Sequence, residues 1–134
     1  MSYEIHLDQP VERGAVPSLL AKIFGIAPSE VAVAAEAAQL PLEPRRLSCI
    51  HRERRGDFPL SLELILDRTL AARCTELDVA RWLVDELDCR CIVSDDSLNP
   101  FTWLMVEPGG LMFRVAVEPD ALDRNELRVT RLMT

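Results

Sequence analysis

Residues 75–94, TELDVARWLVDELDCRCIVS, decide the fold class. Their apolar residues first follow the spacing of a helix and then the pattern of a strand. Four apolar residues first recur at helical spacing: Leu77, Ala80, Val84 and Leu87. Together with the capping-box spacing of Thr75 and Asp78, they predict a helix from Thr75 to Leu87. Residues 90–94 then favour a strand, so helix and strand belong to one folded unit.

Strand patterns fill most of the chain on either side of this stretch. Apolar residues that alternate or follow one another predict strands at about 3–7, 46–53, 58–66, 101–106, 111–117 and 127–132. The turns at 56–57 and 108–110 contain glycine, which favours antiparallel hairpins. Residues 118–120 predict a further turn before the last strand.

A second helix is predicted between residues 11 and 24. Pro17 suits the first turn of a helix, and Gly25 suits the residue just after the last turn. Residues 30–39 fit either a strand or an alanine-rich helix, and we expect a strand followed by a loop. The expected fold is one α+β domain, residues 1–134, whose mostly antiparallel sheet carries two principal helices in a single layer.

The composition is that of an ordinary globular protein, with 49% hydrophobic and 28% charged residues. No apolar run approaches the roughly 18 residues that a membrane-spanning helix needs. Residues 1–8 lack the pattern of a secretory signal. We therefore expect a cytoplasmic protein that does not bind membranes. Its four cysteines are expected to be reduced thiols: Cys49, Cys74, Cys89 and Cys91.

Negative charge is concentrated in the second half of the chain. The net charge is −7, and residues 76–126 hold 12 acidic residues against 4 arginines. Nucleic acids and anionic membranes select basic surfaces, so neither is an expected partner. The acidic residues form either a solvated face or a recognition surface for a basic protein.

Cys49 and His51 are the best candidates for a nucleophile and a base. Residues i and i+2 of a strand share a face, so the thiol and the imidazole would lie within reach of each other. The pair lacks an orienting third residue, and a histidine among apolar neighbours is more often structural. No catalytic residue is therefore assigned, and a small enzyme using Cys49 and His51 is kept as the lesser alternative.

Metal and nucleotide motifs are absent from the sequence. Cys89 and Cys91 would point to opposite faces of a strand, and Cys74 lies a whole helix away. The five glycines are scattered and match turns rather than a phosphate-binding loop. We expect neither a metal nor a cofactor.

One basic cluster lies in the first half of the chain: Arg45, Arg46, Arg52, Arg54 and Arg55. No aromatic residues interleave with these arginines, as the stacking of nucleic-acid bases would require. We interpret the cluster as a soluble hairpin end or as arginines that pair with the protein's own acids.

Residues 91–110, CIVSDDSLNPFTWLMVEPGG, carry a resemblance to a known group of proteins. A strand ends in Ser-Asp, Asn99-Pro100 follows, the next strand contains Trp103, and a Pro-Gly turn leads into another strand. Together with residues 56–59, GDFP, before an apolar strand, this order resembles small bacterial immunity proteins. Those proteins neutralise toxins of contact-dependent or type VI delivery systems.

The resemblance implies a non-enzymatic protein that binds a cognate toxin, either at the toxin's active site or elsewhere. We expect acidic loops and an aromatic anchor to form the partner-binding residues: Asp95, Asp96, Asp120 and Asp123, with Phe101 or Trp103. Tryptophan is common both in binding hot spots and in cores, so ordinary core packing is the alternative for Trp103.

A type III secretion chaperone is the alternative class, because such chaperones are also small, acidic, cytosolic α+β proteins. They usually dimerise and finish with a helix, whereas residues 127–132 predict a strand. A dimer with an exposed apolar groove for an extended effector segment would favour the chaperone.

Overall fold

The computed structural model confirms the expected α+β class with a mostly antiparallel sheet. It describes residues 1–95, 99–124 and 126–133, with the backbone alone for Asp120, Asp123 and residues 130–133. The strands are β1 Ser2–Leu7, β2 Val31–Ala34, β3 Leu47–Glu53, β4 Arg55–Gly56, β5 Leu60–Leu66, β6 Cys91–Ser94, β7 Thr102–Glu107, β8 Leu111–Val117, β9 Glu126–Leu127 and β10 Val129–Met133. The helices are α1 Val16–Phe24, α2 Arg68–Ala71, α3 Glu76–Leu87 and α4 Pro119–Asp123.

The main sheet has eight strands, and β1 lies in its middle although it comes first in the chain. The order across the sheet is β10-β8-β7-β6-β1-β5-β3-β2. Neighbouring strands run antiparallel, except that β2 runs parallel to β3. β4 and β9 form a separate parallel pair, which joins residues 55–56 to residues 126–127.

One face of the sheet, here called the helical face, holds the larger apolar core. Every second residue of β5 points into it, because side chains alternate along a strand: Leu60, Leu62, Leu64 and Leu66. α1 covers these leucines through Leu20 and Phe24, and α3 covers them through Leu83 and Val84. The two principal helices therefore form the single layer that the sequence predicts.

Local sequence determines where the two principal helices begin and end. At the start of α3, the Thr75 hydroxyl accepts from the Asp78 N–H (3.2 Å), and the Asp78 carboxylate accepts from the Thr75 N–H (2.9 Å). Pro17 occupies the first turn of α1, and Gly25 ends α1 in the left-handed region, with φ of 68°. Both predicted helices are confirmed with these signals in place.

The opposite face of the sheet, here called the second face, carries a smaller apolar cluster. It consists of Phe58, Ile92, Met105, Val115, Val117 and Leu127. Residues 118–124 and 126–129 cover this cluster, and the short helix α4 packs on it through Leu122. Asp57 attaches the covering segment to the hairpin of β3 and β5, since its N–H donates to Leu127 O (2.7 Å) and its carboxylate accepts from Val129 N–H (2.8 Å).

Two expectations need correction. Residues 118–120 are not a simple turn but lead into α4, because a proline fixes φ near the helical value and suits a first helical turn as well as a β-turn. The last strand expected at 127–132 is divided into β9 and β10, which pair with different partners. The strand expected after residue 30 is confirmed as β2, and a short 3₁₀ turn at Ala37–Gln39 follows it.

Candidate functional site

The second face brings together a serine, a histidine and a glutamate from two strands. Ser61 Oγ lies 2.6 Å from His6 Nδ1, and His6 Nε2 lies 3.6 Å from Glu4 Oε1. Ser61 stands directly opposite His6 in the pairing of β5 with β1. Sequence reasoning missed this group because 55 residues separate Ser61 from His6. A serine, a base and an acid in contact are the parts of a nucleophilic triad.

Burial removes this group from contact with a substrate. Ser61 is 2% exposed and His6 is 1% exposed, and the Trp103 ring packs edge-on against the imidazole with ring centroids 5.1 Å apart. Burial, with the positive charge of Arg54 as the second cause, lowers the pKa of His6 from 6.5 to about 3. The imidazole is therefore neutral at pH 7 and holds two strands together rather than serving a reaction at the surface.

Cys49 and His51 do share one face of β3, as expected, but their surroundings do not activate the thiol. Cys49 is completely buried, and burial raises its pKa to about 12, with the charge of Glu63 as a smaller cause. His51 Nε2 donates to the carbonyl oxygen of Val11 (2.7 Å), which ties the ring to the segment before α1. A thiol with so high a pKa carries almost no thiolate at neutral pH, so the pair lends no support to the enzyme alternative.

All four cysteines are free thiols in the interior. Burial raises the pKa of Cys89 to about 12 and raises that of Cys91 further. Within the described ranges, no three His, Cys, Asp or Glu side chains converge as metal ligands would. None of the described helices is both long and apolar enough to cross a membrane.

Asp95 lies at the end of β6, where the acidic loop was predicted, but its carboxylate points inward. The side chain is only 4% exposed, and Arg114 Nε of β8 lies 3.6 Å from Oδ2. Its charge is therefore partly neutralised inside the protein. Asp96 lies outside the described residues, so the pair Asp95-Asp96 stays a prediction as a binding feature.

Trp103 is a half-buried member of the second-face cluster rather than a free side chain. It packs against the cluster and against His6, and its indole Nε1–H donates to Pro100 O (3.2 Å). Most of the Trp103 side chain therefore packs in the core, which was the alternative to a role in binding. Its part in the candidate site is to support the loop that precedes it.

Phe101 is exposed on a loop with a defined conformation. Its ring and backbone together are 38% exposed. The Asn99 side chain accepts from the Phe101 N–H (3.0 Å), and the Phe101 carbonyl accepts from the Val117 N–H (2.8 Å). These bonds fix Phe101 next to the end of β8, two residues before α4 begins.

Asp120 and Asp123 both belong to α4, three residues apart in one helix. Because α4 begins just after Val117, the backbone of these two positions lies close in the chain to the contact of Val117 with Phe101. The hydrogen bond from Val117 to Phe101 thus brings the loop at 99–101 close to the start of α4. We call residues 99–101 together with α4 the loop surface.

Trp82 is an exposed aromatic residue on α3. It lies on α3 away from the buried stripe, and its ring packs edge-on against Phe24 with centroids 6.0 Å apart. Two shallow clefts of about 360 and 350 Å³ adjoin it. Its signal in the sequence was an aromatic residue outside the apolar helical positions.

Comparison of the chain with protein-family models, with curated proteins and with solved structures found no match.

Proposed function

We propose that this protein is an immunity protein: it binds a cognate bacterial toxin domain through the loop surface and neutralises it without catalysis. The single observation that carries the proposal is the exposed Phe101 on a loop that side-chain hydrogen bonds hold in place. Aromatic residues are enriched at protein interfaces, and an aromatic side chain has only two χ angles to immobilise on binding.

Pre-organisation is what separates Phe101 from an ordinary exposed apolar residue. Asn99 accepts from the Phe101 N–H, the Thr102 hydroxyl donates to Asn99 O (3.3 Å), and Trp103 donates to Pro100 O. The half-buried Trp103 ring therefore anchors the loop beneath Phe101. A loop ordered before binding does not lose that conformational entropy when the partner arrives, which favours affinity.

Charge supports a basic partner. The second half of the chain is strongly acidic, and α4 adds Asp120 and Asp123 beside the loop. Such charges act mainly on the association rate and on partner choice, and the aromatic anchor acts on the dissociation rate. The buried carboxylate of Asp95 pairs with Arg114 and thereby links the end of β6 to β8.

The test is capture of the partner from the native cells, with two variants run beside the wild type. Phe101→Ala removes the anchor, and Leu111→Ala removes an apolar side chain that is 63% exposed on β8. We expect the wild type and Leu111→Ala to retain the C-terminal domain of a large secreted protein. Phe101→Ala should bind that domain at least about tenfold more weakly, the loss of one interface hot spot.

Neutralisation is then measured with the captured domain itself. Co-expression with the wild-type protein should restore growth of cells that produce the domain, and co-expression with Phe101→Ala should restore it less. Capture of an effector's N-terminal segment by a dimer would replace the proposal with the secretion chaperone. Equal binding by both variants would remove the loop surface from the proposal.

A further inference from the structure

The arginine cluster at residues 45–55 does not stay together in the fold. Four of its members bind partners within the chain: Arg45 with Ser29 O, Arg46 with Glu30 and Asp67, Arg52 with Glu63, and Arg54 with Glu4. Arg55 forms no ion pair with another described residue. It is exposed on β4 and faces a cleft that a distant part of the chain completes.

The cleft has a volume of about 650 Å³ and is lined by Glu53, Arg54, Arg55, Arg124 and Glu126. The parallel pairing of β4 with β9 places Arg55 directly opposite Glu126. Gly56 makes this pairing possible, because its φ is 101° and an added Cβ would lie 2.5 Å from Leu127 O. The cleft is therefore a built feature of the fold rather than a chance meeting of surface side chains.

Glu126 acts as an internal anion that gathers the arginines. Its carboxylate accepts from Arg128 Nε (3.1 Å), and Arg124 lies 3.6 Å away. The hydrogen bond from Arg128, followed by the charges of Arg124, Arg128 and Arg55, lowers the pKa of Glu126. Each guanidinium carries five N–H donors, whereas one carboxylate offers only about four acceptor positions. Arg55 and Arg124 thus keep donors for a second anion.

We propose that this cleft binds a phosphate group through Arg55 and Arg124. Arginine presents paired N–H donors that match two oxygens of a phosphate at once, and three arginines around one cleft suit its negative charge. Three arginines against Glu53 and Glu126 leave the lining of the cleft with one excess positive charge, in a chain whose net charge is −7. This balance favours an anion in the cleft. This site is separate from Phe101 and does not depend on the proposed function.

Titration with inorganic phosphate at constant ionic strength tests the proposal, with amide NMR shifts as the readout. We expect saturable shifts confined to residues 53–57 and 124–128. Arg55→Gln should weaken phosphate binding at least about tenfold, the usual effect of losing a charge-assisted pair. Arg45→Gln, which removes an exposed arginine elsewhere, should leave the affinity unchanged. Arg124→Gln provides a second variant should Arg55→Gln lower the melting temperature.

The same titration with AMP shows whether the bound phosphate group belongs to a nucleotide. A titration with sodium sulfate shows whether the cleft distinguishes phosphate from another anion. Tighter binding of AMP than of phosphate would assign the site to a nucleotide, and equal binding would assign it to phosphate itself. Equal shifts with sulfate, shifts spread over all arginines, or equal affinity in Arg55→Gln and the wild type would overturn the proposal. Each result leaves the Phe101 capture experiment unaffected.

Discussion

The two faces of the central sheet are built from alternate residues of the same strands, yet different forces hold them. On the helical face, Leu7, Leu60 and Leu62 pack beneath two helices in a continuous apolar core. On the second face, the neighbouring residues His6 and Ser61 form a buried hydrogen bond. Beyond them the same face becomes apolar again at Ile92 and Met105. Apolar burial is the main stabilisation of the helical face. The second face also needs a neutral His6 and a particular backbone path.

This comparison shows how a strand can serve two environments. Residues that point to the helical face are mainly apolar, and their contribution to stability scales with the apolar area that they bury. Residues that point to the second face include polar groups that are stable inside only when each finds a partner. A substitution should therefore cost a predictable amount on the helical face, and an amount that depends on partners or pH on the second.

The largest effect is expected from the helical face. Leu62→Ala should lower the free energy of unfolding by about 2–5 kcal/mol, because it leaves a cavity at a fully buried position. Ile65→Ala on the second face of the same strand, where the side chain is partly exposed, should cost less than about 1 kcal/mol. Urea unfolding of both variants measures the difference, and equal losses would contradict the asymmetry.

A smaller effect is expected at the covering segment of the second face. Gly56→Ala should cost about 1–3 kcal/mol, because its φ of 101° is strained for alanine and the new Cβ would meet Leu127 O. Gly14→Ala, where no atom lies within 4 Å of an added Cβ, is the matched control and should change stability by about 0.5 kcal/mol or less. Thermal unfolding of the two variants is the measurement, and similar melting temperatures would show that β4 and β9 are not held together.

The smallest effect, over the interval from pH 6.5 to pH 5, concerns protonation of His6. The pKa of His6 is about 3 in the folded protein and close to 6.5 when unfolded, so the unfolded chain binds the proton more readily in that interval. Stability should therefore be complete above pH 6.5 and fall as pH decreases below it, by on the order of 1 kcal/mol per pH unit. His6→Asn keeps a polar atom near Ser61 and does not titrate. Its unfolding free energy should change less between pH 6.5 and 5, and parallel profiles would refute the assignment.

Local sequence signals were enough for the two principal helices and for most strands of the main sheet, but not for the contacts between distant elements. Thr75 with Asp78 predicts the start of α3, and Gly25 predicts the end of α1, because capping involves residues only a few positions apart. The pairing of β4 with β9 joins positions some seventy residues apart. No local period reports such a contact, and the parallel pairing of β2 with β3 escaped prediction for the same reason.

The sequence predicts which residue types the candidate site contains, but not which of these side chains are exposed. An aromatic residue beside acids suggested an anchor, and the sequence proposed both Phe101 and Trp103. Their places in β7 and the loop before it decide which of them is open to a partner, since Trp103 is held beneath the loop by His6 and Pro100. The inward side chain of Asp95 depends on Arg114 from another strand, which no spacing reveals.

The central place of β1 has a consequence for synthesis on the ribosome. β1 pairs with β5 at residues 60–65 and with β6 at residues 91–92, and it joins the two halves of the sheet. Translation proceeds at about 5–20 residues per second, so β1 waits on the order of ten seconds before both neighbours exist. Throughout that interval its apolar residues Ile5 and Leu7 lack their final cover. The sheet can therefore close only late in translation, when β6 has been made.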